Sequence, residues 1–138
     1  MQLNCINYFY MSITRKTKSV EQVLNTFKDL NAISIVELVD KFKHEMNKTT
    51  VYRILERLEK SNILHSFLDN QGLKRYAKNK VEKSQSSNQH PHFLCEECGA
   101  SSCIAIEMNI PALPNCKIKN SSHLLIGQCN RCLSQSNF

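Results

Sequence analysis

His90-Pro91-His92-Phe93-Leu94-Cys95-Glu96-Glu97-Cys98-Gly99 sets two histidines and two cysteines within nine positions. A second Cys-x-x-Cys pair, Cys129 and Cys132, follows near the end of the 138-residue chain. Each pair supplies two sulfurs from one tight turn, and two turns complete the tetrahedral shell of a structural zinc. A thiol-exchange motif would have no use for a second copy. Residues 99–128 separate the pairs, too long a stretch for a simple ribbon, so a small piece of fold must lie between them. Chelation contributes folding free energy directly to a module whose core is this thin. One structural zinc per chain, on Cys95, Cys98, Cys129 and Cys132, is therefore expected.

A chain of this length builds one ordinary domain or two small ones. No apolar run approaches the length of a membrane span. The apolar patch Cys5-Ile6-Asn7-Tyr8-Phe9-Tyr10-Met11 lacks the basic start and small-residue cleavage site of a secretory signal. A cytoplasmic protein is expected, with no membrane partner. In a reducing compartment seven cysteines read as metal ligands rather than disulfides, and the odd number agrees. The net charge of +6 is unevenly spread: residues 1–83 carry 15 Lys/Arg against 9 Asp/Glu, while residues 84–138 carry 3 of each. Six of the seven cysteines lie in the neutral part. A basic half joined to a metal-binding half suggests an acidic partner, nucleic acid first.

Helical periodicity organises the basic half. Tyr8, Phe9, Met11 and Ile13 suit a short helix, and Arg15, Lys16 and Lys18 form a small basic cluster. Ser19 with Gln22 reads as a capping box ahead of Val20, Val23, Leu24 and Phe27. Ser34 with Glu37 repeats the device ahead of Ile35, Leu38, Val39 and Phe42. Asn47 starts a third helix, with Val51, Ile54, Leu55 and Leu58 on one face and Thr49, Tyr52, Arg53, Glu56 and Lys60 on the other. Three short helices in this span make a helix-turn-helix unit. Ile63–Leu68, the turn Asp69-Asn70-Gln71-Gly72 and Leu73–Ala77 then read as a β-hairpin. Helices followed by a hairpin give a winged helix, whose third helix enters the major groove; Lys74 and Arg75 stand where a wing meets phosphate. Residues 79–89 are polar and read as a linker. Beyond the His/Cys stretch, strands are expected over Ala100–Ile106, Lys117–Lys119 and His123–Ile126, with Pro111 and Pro114 breaking the chain between them. The fold class is α+β: a winged helix-turn-helix over 1–78, a hinge over 79–89, and a small zinc-stabilised α/β domain over 90–138.

Thr50-Val51-Tyr52-Arg53-Ile54-Leu55, His90-x-His92-Phe93-x-Cys95-x-x-Cys98-Gly99 and Gly127-x-Cys129-x-x-Cys132 occur in that order. Over residues 19–132 the chain resembles the ferric uptake regulator (Fur) family of bacterial metal-sensing repressors. The resemblance implies a winged helix hinged to a dimerising α/β domain, acting as a homodimer on a palindromic double-stranded operator. It implies DNA contacts from Tyr52 and Arg53; Thr49 and Thr50 in the same helix, Lys74 and Arg75 of the wing and Arg15 of the basic cluster are expected as further contacts. It implies no enzymatic activity and no small-molecule substrate.

The sensing site departs from the usual family pattern. A Glu after the wing aromatic is replaced by Ala77, and a His between the first two helices falls near Ala32. The first His of the family's histidine run is Gln89, and a His on the last strand falls on Ser121, two residues before His123. A Glu four residues after Cys-Gly is Cys103, which resembles a variant branch that also carries a His at the start of the wing, here His65. His65, His90, His92 and Cys103 are therefore expected to hold a second, regulatory metal. Nitrogen and sulfur ligands favour zinc, with ferrous iron the other choice. Two rivals share the zinc module: an adaptor that binds protein instead of DNA, and a redox-sensing member of the same family using Cys103. An enzyme would need a general base beside the histidines, and none stands near in sequence. Cys5 and Cys116 read as buried small residues.

Overall fold

The computed structural model describes residues 17–28, 31–79, 90–104, 106, 108–119 and 121–135. The N-terminal helix, Arg15, Cys5 and nearly all of the linker lie outside them. Helix α1 spans Lys18–Leu24, strand β1 Asn31–Ser34, helix α2 Ile35–Lys41 and helix α3 Lys48–Lys60. The hairpin follows as β2 (Leu64–Leu68) and β3 (Lys74–Lys78), then β4 (His92–Cys95), β5 (Ser101–Cys103), β6 (Leu124–Gly127) and helix α4 (Asn130–Gln135). Helices and strands mix as an α+β fold.

Local chemistry explains the helix starts, with one correction. The cap of α1 is Thr17, whose hydroxyl accepts from the Val20 amide, and not Ser19, which lies inside the helix. Ser34 and Glu37 form the reciprocal capping box, with both bonds at 3.1 Å. Asn47 caps α3 by accepting from the Thr50 amide at 2.8 Å. The anticipated stripe Val51, Ile54, Leu55 and Leu58 is buried. It packs with Val20, Val23, Leu24, Phe27, Leu38 and Phe42 against Leu64 and Tyr76 of the hairpin.

All six strands form one sheet in the order β2-β3-β1-β5-β4-β6. β4 and β6 run parallel, and every other pair is antiparallel. Three features were not legible. Asn31–Ser34 is a strand and bridges the two halves, pairing Ile33 with Tyr76 of β3 and Ala32 with Ser101 of β5. Lys117–Lys119 is irregular and exposed rather than a strand, because no neighbouring strand pairs with it among the described residues. Cys116, expected inside, is exposed.

Opposed residues of an antiparallel pair share a face, so the register sorts the sheet into two sides. Leu64 and Tyr76 face the helical core. The other side carries His65, Phe67, Arg75, Ala77, Ala32, Ser101, Cys103 and His92, and within it Ala32, Phe67, Ala77 and Cys103 form a second, small core with Leu124.

Candidate metal centres

Cys95 ends β4, Cys98 follows one turn later, and Cys129 and Cys132 flank the start of α4. The turn closes with the Gly99 amide donating to the Cys95 carbonyl at 3.0 Å, and Gly99 takes φ +77°, a conformation that suits glycine. The four sulfurs lie within 4.8 Å of one another; the Cys95–Cys132 and Cys98–Cys129 pairs are each 3.7 Å apart. Amides of Cys98 and Cys129 hold the Cys95 thiol down at about 6, and the Ala100 amide lowers Cys98. Cys132 moves the other way, raised first by its bond with Cys129 and then by burial. Four close thiols that cannot all ionise alone make a donor set fitted to a divalent soft cation, which would relieve the shared negative charge.

His65, His90, His92 and Cys103 form the second cluster, also within 4.8 Å. His65 Nε2 stands 3.1 Å from His92 Nε2 and 3.3 Å from Cys103 Sγ. His65 is 4 % exposed, inside the molecule. β2 and β4 are four places apart in the sheet, about 19 Å if it were flat. The rings meet because the sheet curls over Ala77 and Ala32, which oppose one another in the register and carry only methyl groups on the inner side. Phe67 stacks on His92 with ring centroids 3.9 Å apart and fixes the imidazole plane.

Burial holds His65 down at about 4 and His92 at about 3, and it lowers His90 as well. All three rings are thus neutral at pH 7, the protonation state a metal ligand needs. His90 Nε2 is buried without a hydrogen-bond partner. Three neutral imidazoles, one thiol and an orphaned ring nitrogen fit a tetrahedral site of three nitrogens and one sulfur. The sign of the linkage follows. The native state refuses protons that the unfolded chain accepts below pH 6.5, so stability falls as pH drops from 6.5 toward 4. Chemical denaturation of protein that carries zinc on the four cysteines but no second metal, at several pH values in that window, should show a falling midpoint.

On the opposite side of the molecule, Tyr52 and Arg53 are exposed on α3, and Thr49 is exposed in its first turn. Thr50 is half-buried and donates its hydroxyl to the capping Asn47. Arg53 and Thr50 line a groove of about 300 Å³ shared with Thr17, Ser19 and Arg57. Arg57 was missed in the sequence, although its spacing four residues from Arg53 puts both on one helical edge. Lys74 bridges Glu59 at 3.3 Å and remains partly exposed. Arg75 must be removed from the phosphate-facing set. Its Nε donates to Asp69 at 3.1 Å, and its Nη1 donates to the Gly99 carbonyl at 3.1 Å and to Ser101 Oγ at 2.9 Å, so the side chain is inside the molecule.

The model of the Ferric uptake regulator family matches residues 10–125. The chain belongs to this family. Fur family members are transcription regulators and not enzymes. Among curated proteins no significant match is found. Among solved structures, a zinc uptake regulator complexed with zinc and DNA is 19 % identical at TM-score 0.69, covering 97 % of this chain and 93 % of that one. The Vibrio cholerae ferric uptake regulator is 20 % identical at TM-score 0.60, covering 91 % and 100 %. The Helicobacter pylori Fur, described as having three functional metal binding sites, is 20 % identical at TM-score 0.59, covering 93 % and 91 %. At these identities the likeness establishes the shared Fur fold.

Proposed function

We propose that this Fur family chain is a metal-responsive repressor that binds a palindromic operator as a cytoplasmic homodimer. The observation that carries the reading is the composition of the histidine cluster. His65 comes from the hairpin behind α3, whereas His90, His92 and Cys103 come from the C-terminal strands and the segment leading into them. A metal there ties the DNA-facing half to the other half, and zinc is the better fit to three nitrogens and a sulfur, with ferrous iron second. Cys95, Cys98, Cys129 and Cys132 hold the structural zinc. Residues 1–78 act as the winged helix, 79–89 as the hinge and 90–138 as the dimerising domain.

Two further features support it. Among the described residues most exposed large apolar side chains lie in the C-terminal half, among them Ile106, Ile110, Leu113 and Leu133 together with Leu125 and Ile126 of the edge strand β6, apolar surface suited to a second copy. Thr49, Tyr52 and Arg53 point away from the core at the start of α3, the end that enters a groove. Metal favours the closed arrangement and so shifts the population toward DNA binding.

Gel-shift titrations over several duplexes and salt concentrations test the reading. Arg53→Ala should weaken all sequences alike and reduce the salt slope by about one, as loss of a phosphate contact does. Tyr52→Ala should change the preference among sequences. A flat salt response would reject duplex binding.

A further inference from the structure

The bonds of Asn79 set it apart from the other polar residues around the histidine cluster. It follows β3, and its side chain makes two hydrogen bonds in opposite directions. Asn79 Nδ2 donates to the Asn62 carbonyl at 2.7 Å, and Asn79 Oδ1 faces His65 Nδ1. A carbonyl oxygen only accepts, so the atom facing Asn62 must be the amide nitrogen. The atom facing His65 is then the amide oxygen, which in turn only accepts. His65 must therefore carry its proton on Nδ1, leaving the Nε2 lone pair directed at His92 and Cys103. The tautomer follows from connectivity, independent of any titration.

The second bond reaches the end of α3. Asn62 has φ +59° and its amide donates to the Glu59 carbonyl at 3.0 Å, so it is the left-handed residue of the turn that terminates the helix, one position past the cap Ser61. The Asn79 amide also donates to the Ile63 carbonyl at 2.9 Å, which pins the same turn a second time. One side chain thus joins an imidazole of the cluster to the C-terminal end of the helix that carries Tyr52 and Arg53.

We propose that Asn79 is the positioning residue of the histidine–cysteine site: it locks His65 in the metal-ready tautomer and links that ring to the turn ending helix α3. The inference rests on the reading that His65, His90, His92 and Cys103 bind a metal. Outer partners of ligating histidines fix ring orientation, and their removal typically weakens metal binding about 10–100-fold.

Cobalt(II) added to the full chain with zinc retained on the four cysteines is the probe, read by its visible absorption. Asn79→Ala should weaken cobalt binding about 10–100-fold while the zinc content stays unchanged. Asn79→Asp keeps an acceptor for His65 Nδ1 but loses the donor to Asn62. It should keep cobalt affinity within a few-fold of the parent while losing the cobalt-induced slowing of hydrogen exchange at the amides of Ser61, Asn62 and Ile63. If the parent binds cobalt and Asn79→Ala binds it equally well, the positioning role is overturned and the metal site stands. If Asn79→Asp keeps the slowed exchange, the link to α3 is overturned. If the parent itself takes up no second cobalt, the metal reading fails and the inference falls with it.

Discussion

Replacing Cys95 by serine should unfold the C-terminal strands and abolish both metal sites at once. Cys95 is fully buried at the end of β4, and the Glu96 amide next to it donates to the Gly127 carbonyl of β6. Structural zinc contributes about 10–16 kcal/mol of apparent binding free energy in small modules, as much as the whole stability of an ordinary domain. The thin core around Ala32, Phe67, Ala77 and Cys103 cannot offset such a loss. The damage reaches the second site because His92 and Cys95 belong to the same strand, three positions and about 10 Å apart. The expected result is loss of one zinc per chain by elemental analysis and loss of the thermal transition of the C-terminal half. A variant that keeps its melting temperature within a few degrees would show that the sulfurs are not structural.

Arg75→Ala is expected to destabilise the metal-loaded protein by about 3 kcal/mol or more, the usual result of removing one partner of a buried ion pair. The side chains of Arg75 and Asp69 are 9 % and 2 % exposed. Burial alone would raise the Asp69 carboxyl, but the amides of Leu73 and Gln71 together with the Arg75 guanidinium hold it below its ordinary value. Without Arg75 the two amides remain while the counter-charge is lost. The Gly99 carbonyl and Ser101 Oγ lose a donor in the same substitution, and Ser101 Oγ in turn donates to the Ala32 carbonyl at 3.0 Å. The network therefore connects the hairpin turn, the cysteine turn and β1 through one guanidinium. Urea denaturation reads the loss directly. Asp69→Asn should also be costly: Oδ1 of Asp69 accepts from the Gln71 and Leu73 amides and Oδ2 from Arg75, whereas the single oxygen of an asparagine can serve only one side and its NH2 group would face a donor.

Short-range patterns in this chain were legible, the Ser19–Gln22 box excepted, and pairings across the chain were not. The α3 stripe, the Ser34–Glu37 box and the Asp69–Gly72 turn each depend on residues a few positions apart, and each appears where the sequence placed it. The four cysteines, and His90 with His92, were also legible, because Cys-x-x-Cys and His-x-His carry their own spacing, whereas His65 and Cys103 were expected only from the family resemblance. β1 carries no periodic signal in four residues and is a strand only because β3 and β5 lie on either side of it. Arg75 looked like a phosphate contact because a basic residue in a hairpin is usually solvated. Strand alternation would have shown otherwise: Tyr76 faces the helices, so Arg75 and Ala77 must share the inner side with His65. Asn79 stood at the start of a polar stretch and gave no signal at all, since its role depends on His65 being fourteen residues away in sequence and adjacent in space.

The most direct test compares operator affinity against free zinc concentration for the parent chain and for the His90→Ala, His92→Ala double variant, both carrying zinc on the four cysteines. Fluorescence anisotropy of a labelled duplex gives both curves. The expected result is an affinity that rises about 5–150-fold with zinc for the parent, the usual size of coupling between two sites, and a flat response for the double variant. A double variant that tightens on its operator as the parent does would place the switch elsewhere and contradict the account.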